Sequence, residues 1–279
     1  LFLIGNINTM NDKVYISIVN YNGYTQTINC LKSILKIDYD NFNIILIDNK
    51  STDDSFNKLK LWFDTNNLSY GCDLNKNNFI TLLKSKYNGG YAYANNISIR
   101  IASKKSDNPY IWILNNDTTV NKNTLTYLIN SYNKNNKQIL GSKILFSNTS
   151  NIDSYGGRVG KFFFSAYNNK NNNNLIDYIP GTSIFFKKEV VDEIGYLCED
   201  YFMYYEDVDW SIKAFRKGIQ LKIVNDSVVK HYKNKYVPLK LRFYSFKNRL
   251  LFIYKNYPLL FPIQIILTPI YIIKKIILK

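Results

Sequence analysis

Short apolar segments alternate with segments of helical periodicity through the first half of the 279-residue sequence. The strand-like segments are rich in β-branched residues and comprise VYISIV (14–19), FNIILID (42–48), NFITLL (78–83) and YIWIL (110–114). Apolar residues at helical spacing lie between them, in TQTINCLKSIL (25–35) and YAYANNISIRIAS (91–103). This alternation predicts an α/β fold with a mostly parallel sheet flanked by helices.

Polar residues follow each of these predicted strands, in the order NYNG, DNKSTDD, KYNGG and NNDTT. In parallel α/β sheets, ligands bind beyond the carboxyl ends of the strands. One such loop is consistent with an ordinary turn, but their recurrence after four strands favours a cleft with a polar rim.

Two aspartates end apolar strands at this predicted rim. Asp48 offers a carboxylate to a ribose hydroxyl or a base N–H, although Asp-Asn after a strand is also common turn chemistry. Asp117, with the amide oxygen of Asn115 nearby, suits a hard divalent cation that carries phosphates. Their shared position at parallel strand ends strengthens both interpretations.

The segment YFMYYEDVDW (201–210) places Glu206, Asp207 and Asp209 among aromatic residues, although the chain has a formal net charge of +15. Buried carboxylates are costly unless they are paired or used. A helix that begins at Glu206 and ends at Gly218 explains acids in the first turn. A metal site and a catalytic base are the other interpretations.

The second half is less regular. Residues 147–160 and 168–174 are predicted to be mobile loops, TSIFF (182–186) and IQLKIV (219–224) to be strands, and KEVVDEIG (188–195) to be a short helix. Cys30, Cys72 and Cys198 form no CxxC pair, which argues against a zinc site or disulfide framework and for a reducing compartment. The first ten residues have no positive n-region, so no signal peptide is predicted.

Positive charge is concentrated at the end of the sequence. No Asp or Glu follows Asp226, and eleven of the fifteen excess positive charges lie between Lys230 and Lys279. An amphipathic helix is predicted from Leu239, followed by an apolar stretch (259–273) that Pro262 and Pro269 interrupt. This pattern favours association with an anionic membrane surface, and the alternative is a helical pair packed on its own domain.

Five segments, taken in order, resemble glycosyltransferase family 2, the inverting GT-A enzymes, and most closely its rhamnosyltransferase-like and galactofuranosyltransferase-like branch. They are ISIVNYNGYTQTINCLKSI, DNKSTDDS, NGGYAYANN, LNND and GYLCEDYFMYYEDVDWSIKAFRKG. The resemblance covers roughly residues 14–256. It departs from the family pattern at Asn115, where a metal-binding Asp is usual, and at Cys198, where Asp is usual.

The resemblance implies that Asp207 is the catalytic base and that Glu206 orients the acceptor or a main-chain donor. It implies metal ligation of Mn²⁺ or Mg²⁺ by Asp117, Asn115 and His231, although His231 is also interpretable as an ordinary surface histidine. Acceptor contacts are predicted for Tyr205, Trp210 and Gly181. Donor contacts are predicted for Asn20, Asp48, Asn49, Ser51, Asp53, Asn88, Gly90, Asn96 and Asn116.

The predicted function is inverting transfer of a sugar from a UDP- or dTDP-sugar to a hydroxyl of a cell-surface glycan or lipid-linked saccharide. Residues 1–232 are predicted to form the GT-A domain, and 233–279 a helical segment on the cytoplasmic face of the membrane. The alternatives are a nucleotidyltransferase, a nucleic-acid binder and a non-catalytic relative. The first lacks a basic triphosphate loop after the first strand, and the second lacks a basic stripe in the folded body, so no nucleic-acid partner is expected.

Overall fold

The structure, a computed structural model, describes residues 12–72, 78–149, 151–173, 175–233 and 238–277. The strands in this part of the chain are β1 Val14–Asn20, β2 Phe42–Asp48, β3 Tyr70–Gly71, β4 Ile80–Lys84, β5 Tyr110–Leu114, β6 Thr118–Val120, β7 Gln138–Phe146, β8 Ile152–Ser154, β9 Gly157–Val159, β10 Ala166–Asn168, β11 Ser183–Lys187 and β12 Gln220–His231. The helices are α1 Tyr24–Ile34, α2 Ser55–Thr65, α3 Gly90–Lys105, α4 Thr124–Ser131, α5 Lys188–Ile194, α6 Glu206–Arg216, α7 Leu239–Asn256 and α8 Phe261–Ile277, with a short 3₁₀ helix at Pro258–Leu260 between the last two.

One large sheet organises the chain, in the order β3-β4-β2-β1-β5-β11-β7-β12-β6, with β8 paired to β7. Strands β3, β4, β2, β1 and β5 run parallel to their neighbours, as predicted. Strand β11 is antiparallel to both β5 and β7, and β12 is parallel to β7. The carboxyl ends of β1, β2, β4, β5 and β12 therefore point to one edge of the sheet.

The side chains of β1 show why the sheet is buried on both faces. Val14, Ile16 and Ile18 pack in an apolar cluster with α1, α2 and α4, whereas Tyr15 packs on the opposite face with α3, α5 and α6. Successive side chains of a strand point to opposite faces, so an almost wholly apolar strand requires helices on both sides.

A third apolar cluster connects the C-terminal helices to this body. Phe252 and Ile253 of α7 pack with Tyr205 and Val208 at the start of α6 and with Phe164. Helix α7 is thus packed against the segment that carries the predicted catalytic acids. The predicted domain boundary at 232/233 stays a prediction.

The structure corrects several predictions for the second half. The segments 147–160 and 168–174, predicted to be mobile loops, contribute β8, β9 and the last residue of β10; residues 150 and 174 lie outside the described residues. Strand β12 is twice as long as predicted and includes His231. Helix α8 continues through Pro269 although proline removes one hydrogen bond of the helix.

None of the helices in the described ranges combines the length and the hydropathy needed to cross a membrane. The prediction made for the first ten residues falls outside the described residues.

Candidate active site

The sheet topology brings most of the predicted site residues to one edge. Asn20 and Asp48 end the adjacent strands β1 and β2 and are paired in register. Asp117 lies between β5 and β6, and His231, the last residue of β12, pairs with Thr118 of β6. Residues from opposite ends of the sequence are therefore neighbours because of strand pairing.

A buried hydrogen-bond chain joins the loops after β1, β2 and β5. Asn116 Nδ2 donates to Thr27 Oγ1 (2.9 Å), Thr27 Oγ1 to Asn20 Oδ1 (2.9 Å), and Asn20 Nδ2 to Asp48 Oδ2 (2.8 Å). Ser51 donates to both carboxylate oxygens of Asp48, from Oγ at 2.6 Å and from its backbone N–H at 3.0 Å. The fully buried Asp48 thus positions this loop, and its contact with a ribose or base stays a prediction.

A second network connects the loop after β2 to the start of α3. Asn49 Nδ2 donates to Asn88 Oδ1 and to the carbonyl oxygen of Gly90, both at 3.0 Å. Gly90 has a φ of +84°, and a Cβ atom there would lie 2.0 Å from the carbonyl oxygen of Phe202. Glycine is required at this position because the helix start touches the backbone of the segment that precedes α6.

A group of ionisable side chains surrounds His231. Its Nε2 lies 3.3 Å from Asp117 Oδ1, and its Nδ1 lies 3.7 Å from Asp153 Oδ2. Asp153 Oδ1 accepts hydrogen bonds from Lys233 Nζ (2.7 Å) and Asn168 Nδ2 (3.1 Å). Burial alone would raise the pKa of Asp153, but His231 and Lys233 outweigh it and lower that pKa to about 2.

The Asp117–His231 pair fits a divalent cation. Asp117 Oδ1, His231 Nδ1 and Asp153 Oδ2 are buried, and none has a hydrogen-bond partner within the described residues. Carboxylate and imidazole groups are ordinary ligands of Mn²⁺. No cluster of three or more His, Cys, Asp or Glu side chains in the described residues is arranged to hold a metal, so a cation there would need further ligands from a bound molecule.

The predicted base lies in the first turn of α6. Asp207 Oδ2 accepts a hydrogen bond from the backbone N–H of Gly181 (2.8 Å), and Oδ1 accepts one from that of Val208 (2.9 Å). The carbonyl oxygen of Gly181 accepts a bond from Tyr91 Oη at 2.5 Å. Burial raises the pKa of Asp207, and the bonds from the Gly181 and Val208 amides oppose that effect.

Glu206 is buried beside Asp207, and its Oε2 has no hydrogen-bond partner within the described part of the chain. Burial, and secondarily the charge of Asp207, raise the pKa of Glu206 well above its ordinary value. Two adjacent buried carboxyl groups resist simultaneous ionisation, so Glu206 favours its protonated form.

Asp209 is paired within the fold, as the sequence suggested. It lies 2.7 Å from Lys213 Nζ and accepts a 2.6 Å hydrogen bond from Asn256 of α7. Arg216 also bonds to Asn256, at 2.9 Å, so the two basic residues considered for the family's usual arginine hold α6 to its surroundings.

Three site predictions are wrong. Trp210 is 1% exposed, donates its indole N–H to the carbonyl of Gly195 and packs edge-on against Phe186, on the core face of α6. Tyr205 is buried, and its hydroxyl donates to the carbonyl of Phe164. Neither ring can stack on a sugar. Asn96 is fully buried and bonded to the carbonyl of Leu197, so it does not reach the cleft.

Other predicted residues are placed plainly. Asn115 is half-buried beside Asp117, and its backbone N–H donates to the carbonyl of Thr182, next to Gly181. Asp53 is exposed and accepts a hydrogen bond from the backbone N–H of Ser55 at the start of α2. Asn115 thereby links the segment of the metal candidates to the segment that bonds Asp207.

Sequence reasoning missed Tyr91, Asp153 and Asn248. Tyr91 was visible only as part of a helix, and Asp153 lay in a segment taken for a loop. Asn248 Nδ2 donates to the carbonyls of Met203 (2.8 Å) and Tyr204 (3.0 Å), although it had been noted only in the Lys-Asn-Arg of the distal helix.

The comparisons with known proteins agree with this arrangement. The description of glycosyl transferase family 2 matches residues 15–195. The chain belongs to glycosyl transferase family 2. The predicted family is thus confirmed, and the match covers both strand-end networks and the LNND segment.

Among curated proteins, the low-salt glycan biosynthesis hexosyltransferase Agl10 of Haloferax volcanii is 26% identical over 219 residues, which cover 76% of this chain. The aligned part spans 65% of the length of Agl10.

Two solved structures confirm the predicted GT-A fold. The mannosyltransferase PcManGT from Pyrobaculum calidifontis, in complex with GDP-Man and Mn²⁺, matches 92% of this chain and 69% of its own, with 16% identity and a TM-score of 0.63. GalNAc-T7 with UDP, GalNAc and Mn²⁺ matches 87% of this chain and 48% of its own, with 16% identity and a TM-score of 0.68.

Proposed function

We propose that this chain is an inverting glycosyltransferase that moves a hexosyl or rhamnosyl group from a nucleotide-diphosphate sugar to a hydroxyl group of a glycan or lipid-linked saccharide. The observation that carries the proposal is the position of Asp207. Its carboxylate lies at the start of α6, and its partner Gly181 is adjacent to Thr182, which bonds to the segment of Asp117. The family match and the hexosyltransferase relative support the reaction class.

The donor is proposed to be a UDP- or dTDP-sugar bound across the loops that Asp48 and Asn49 hold together. Neighbours of the same fold are solved with GDP-Man and with UDP, which supports a nucleotide-linked donor without deciding the base. In this arrangement the nucleoside lies towards β1 and β2, and the diphosphate lies towards Asp117.

Asp207 is proposed to act as the general base. Its carboxylate takes the proton of the acceptor hydroxyl while that oxygen forms a bond to the anomeric carbon and the bond to the diphosphate breaks on the opposite face. A base with a raised pKa binds the transferred proton more strongly, and the two backbone N–H donors keep the carboxylate in one orientation. Glu206 is proposed to orient the acceptor from its buried position.

Asp117 and His231, with Asn115 beside them, are proposed to hold a divalent cation, Mn²⁺ or Mg²⁺, together with the donor phosphates. When bound, such a cation would offset the negative charge on the departing diphosphate. The orphaned Oδ1 of Asp117 supports this assignment.

The substitution Asp207→Asn tests the proposal. Transfer from a panel of nucleotide-sugars to saccharide acceptors is expected to fall by about 10²–10⁴-fold, because the amide cannot accept the proton. Donor binding, measured by calorimetry, is expected to change only a few-fold. Asp200→Asn is the control, since Asp200 is an exposed aspartate on the same loop that pairs with Lys255. Near-normal turnover of Asp207→Asn would show that Asp207 is not the base.

A further inference from the structure

The orientation of α8 is the reverse of that of an ordinary surface helix. Its polar residues Gln264 and Thr268 face inward and accept hydrogen bonds from Arg249 of α7, at 3.0 and 2.6 Å. Arg249 is fully buried, donates to the carbonyl of Phe163 (2.8 Å) and lies over the ring of Tyr271. These bonds fix which side of α8 faces the protein.

The opposite side of α8 exposes only apolar side chains between Phe261 and Ile272. We call this surface the apolar face; it consists of Leu259, Leu260, Ile263, Ile265, Ile266 and Ile270, which are 41–91% exposed. Contiguous apolar surface of this kind marks an interaction site in soluble proteins.

Cationic side chains accompany the apolar face. Arg242 and Lys247 are exposed on α7, the helix packed against α8, and the sequence contains no Asp or Glu after Asp226. Lys255, at the end of α7, is paired with Asp200 and is not available. Apolar residues bordered by basic ones and lacking acids are complementary to lipid tails under anionic headgroups.

We propose that the apolar face lies in the surface of an anionic lipid bilayer, with α8 parallel to the membrane. A second copy of the chain fits this surface less well, because a two-fold contact would bring the same cations together without opposing acids. The helices are also too short or too polar to span the bilayer, within the described residues.

The location of the face carries a consequence for the acceptor, which rests on the proposed function. Asn248 of α7 bonds to the carbonyls of Met203 and Tyr204, immediately before Glu206 and Asp207. A protein held at the membrane through α7 and α8 therefore keeps its proposed base close to the lipid surface, which favours a lipid-linked saccharide over a soluble one.

The test is co-sedimentation of the full chain with vesicles of phosphatidylglycerol and phosphatidylcholine, compared with phosphatidylcholine alone. Binding is expected to require the anionic lipid and to weaken in high salt. Ile266→Glu is expected to lower the vesicle partition coefficient by about tenfold or more, because one isoleucine side chain no longer leaves water. Arg242→Gln and Lys247→Gln are each expected to lower it by about fivefold.

Leu61→Glu is the matched control, since Leu61 is an exposed leucine on α2 with 62% exposure, against 75% for Ile266. Equal vesicle binding by Leu61→Glu and Ile266→Glu would overturn the proposal. So would a wild-type dimer that Ile266→Glu dissociates without any vesicle binding, which would assign the face to a second copy. The assay does not measure sugar transfer, so its result is independent of the proposed activity.

Discussion

At the scale of single residues, Glu206 has the most unusual environment in the candidate site. Its pKa is raised because the side chain is buried beside Asp207 and because Oε2 has no partner among the described residues. A raised pKa means that the folded state binds this proton more tightly than the unfolded chain does. The free energy of unfolding should therefore decrease as pH rises from the ordinary glutamate pKa to the raised one.

Glu206→Gln is expected to have a higher free energy of unfolding than the wild type at neutral pH, because the amide carries no charge to bury. Below the ordinary glutamate pKa the two proteins should be equally stable. Urea unfolding across this pH range measures the difference. Glu189→Gln, on α5, is the control, and a difference between Glu206→Gln and wild type that does not change with pH would contradict the assignment.

Asp117→Ala is expected to abolish the effect of Mn²⁺ on donor binding, since it removes the carboxylate closest to His231. His231→Ala should weaken that effect less. Because two protein ligands alone hold a cation weakly, Mn²⁺ should bind chiefly together with the nucleotide. Calorimetric titration with and without UDP measures both effects, and donor binding that ignores a chelator in an active protein would refute them.

Residue-level prediction succeeded where strand order determined the neighbours. The proximity of Asp117 to His231 followed from their positions at strand ends. Prediction failed for Trp210 and Tyr205 because an acid-rich aromatic segment does not reveal which rings point to the core. In a helix that direction depends on the phase set by packing, and Trp210 is on the side that meets Phe186.

At the scale of elements, the segment before α6 is held in an uncommon conformation. Tyr204 and Tyr205 have φ values of 72° and 74°, which side chains with a Cβ rarely adopt. Asn248 donates to the carbonyls of Met203 and Tyr204, so α7 stabilises this turn from outside the predicted GT-A domain.

Asn248→Ala is expected to reduce stability by about 1–3 kcal/mol, because two buried carbonyls lose their donor. It is also expected to lower the transfer rate while leaving donor binding unchanged, since the turn sets the position of α6. Thermal unfolding and steady-state kinetics measure these effects. Lys247→Ala, the exposed neighbour, is the control; full transfer activity in Asn248→Ala would mean that the turn keeps its shape without α7.

The strands and helices of the first half were predictable because they are buried on both faces and therefore carry long apolar runs. The elements between 147 and 174 were not, since β8, β9 and β10 contain three residues each and lie in Asn- and Ser-rich sequence. Such short strands are stabilised by pairing with β7 and with each other, which composition does not reveal.

At the scale of the whole molecule, the C-terminal helices belong to the packing of the protein as well as to its surface. Gln264, Thr268 and Tyr271 of α8 surround the buried guanidinium of Arg249, and burial lowers the pKa of that group. The segment is therefore more than an appended tail, although the sequence suggested mainly a membrane-binding extension.

Removal of residues 257–279 is expected to lower the melting temperature, because Arg249 keeps its charge and loses these partners. Breaking a buried charged contact costs about 3–5 kcal/mol. Arg249→Met in the shortened chain should recover part of the loss, since it removes the unpaired charge. An unchanged melting temperature of the shortened chain would show that α8 does not stabilise the body, and vesicle binding is better tested with Ile266→Glu.

The contact between Gly90 and the carbonyl oxygen of Phe202 has a consequence for how specificity can evolve. The loop on the donor side and the turn on the acceptor side share a wall that is one peptide thick, with no side chain between them. Enlarging either pocket at this wall would displace the other. New preferences for a sugar or an acceptor must therefore arise from residues that line only one pocket, while position 90 stays under constraint from both.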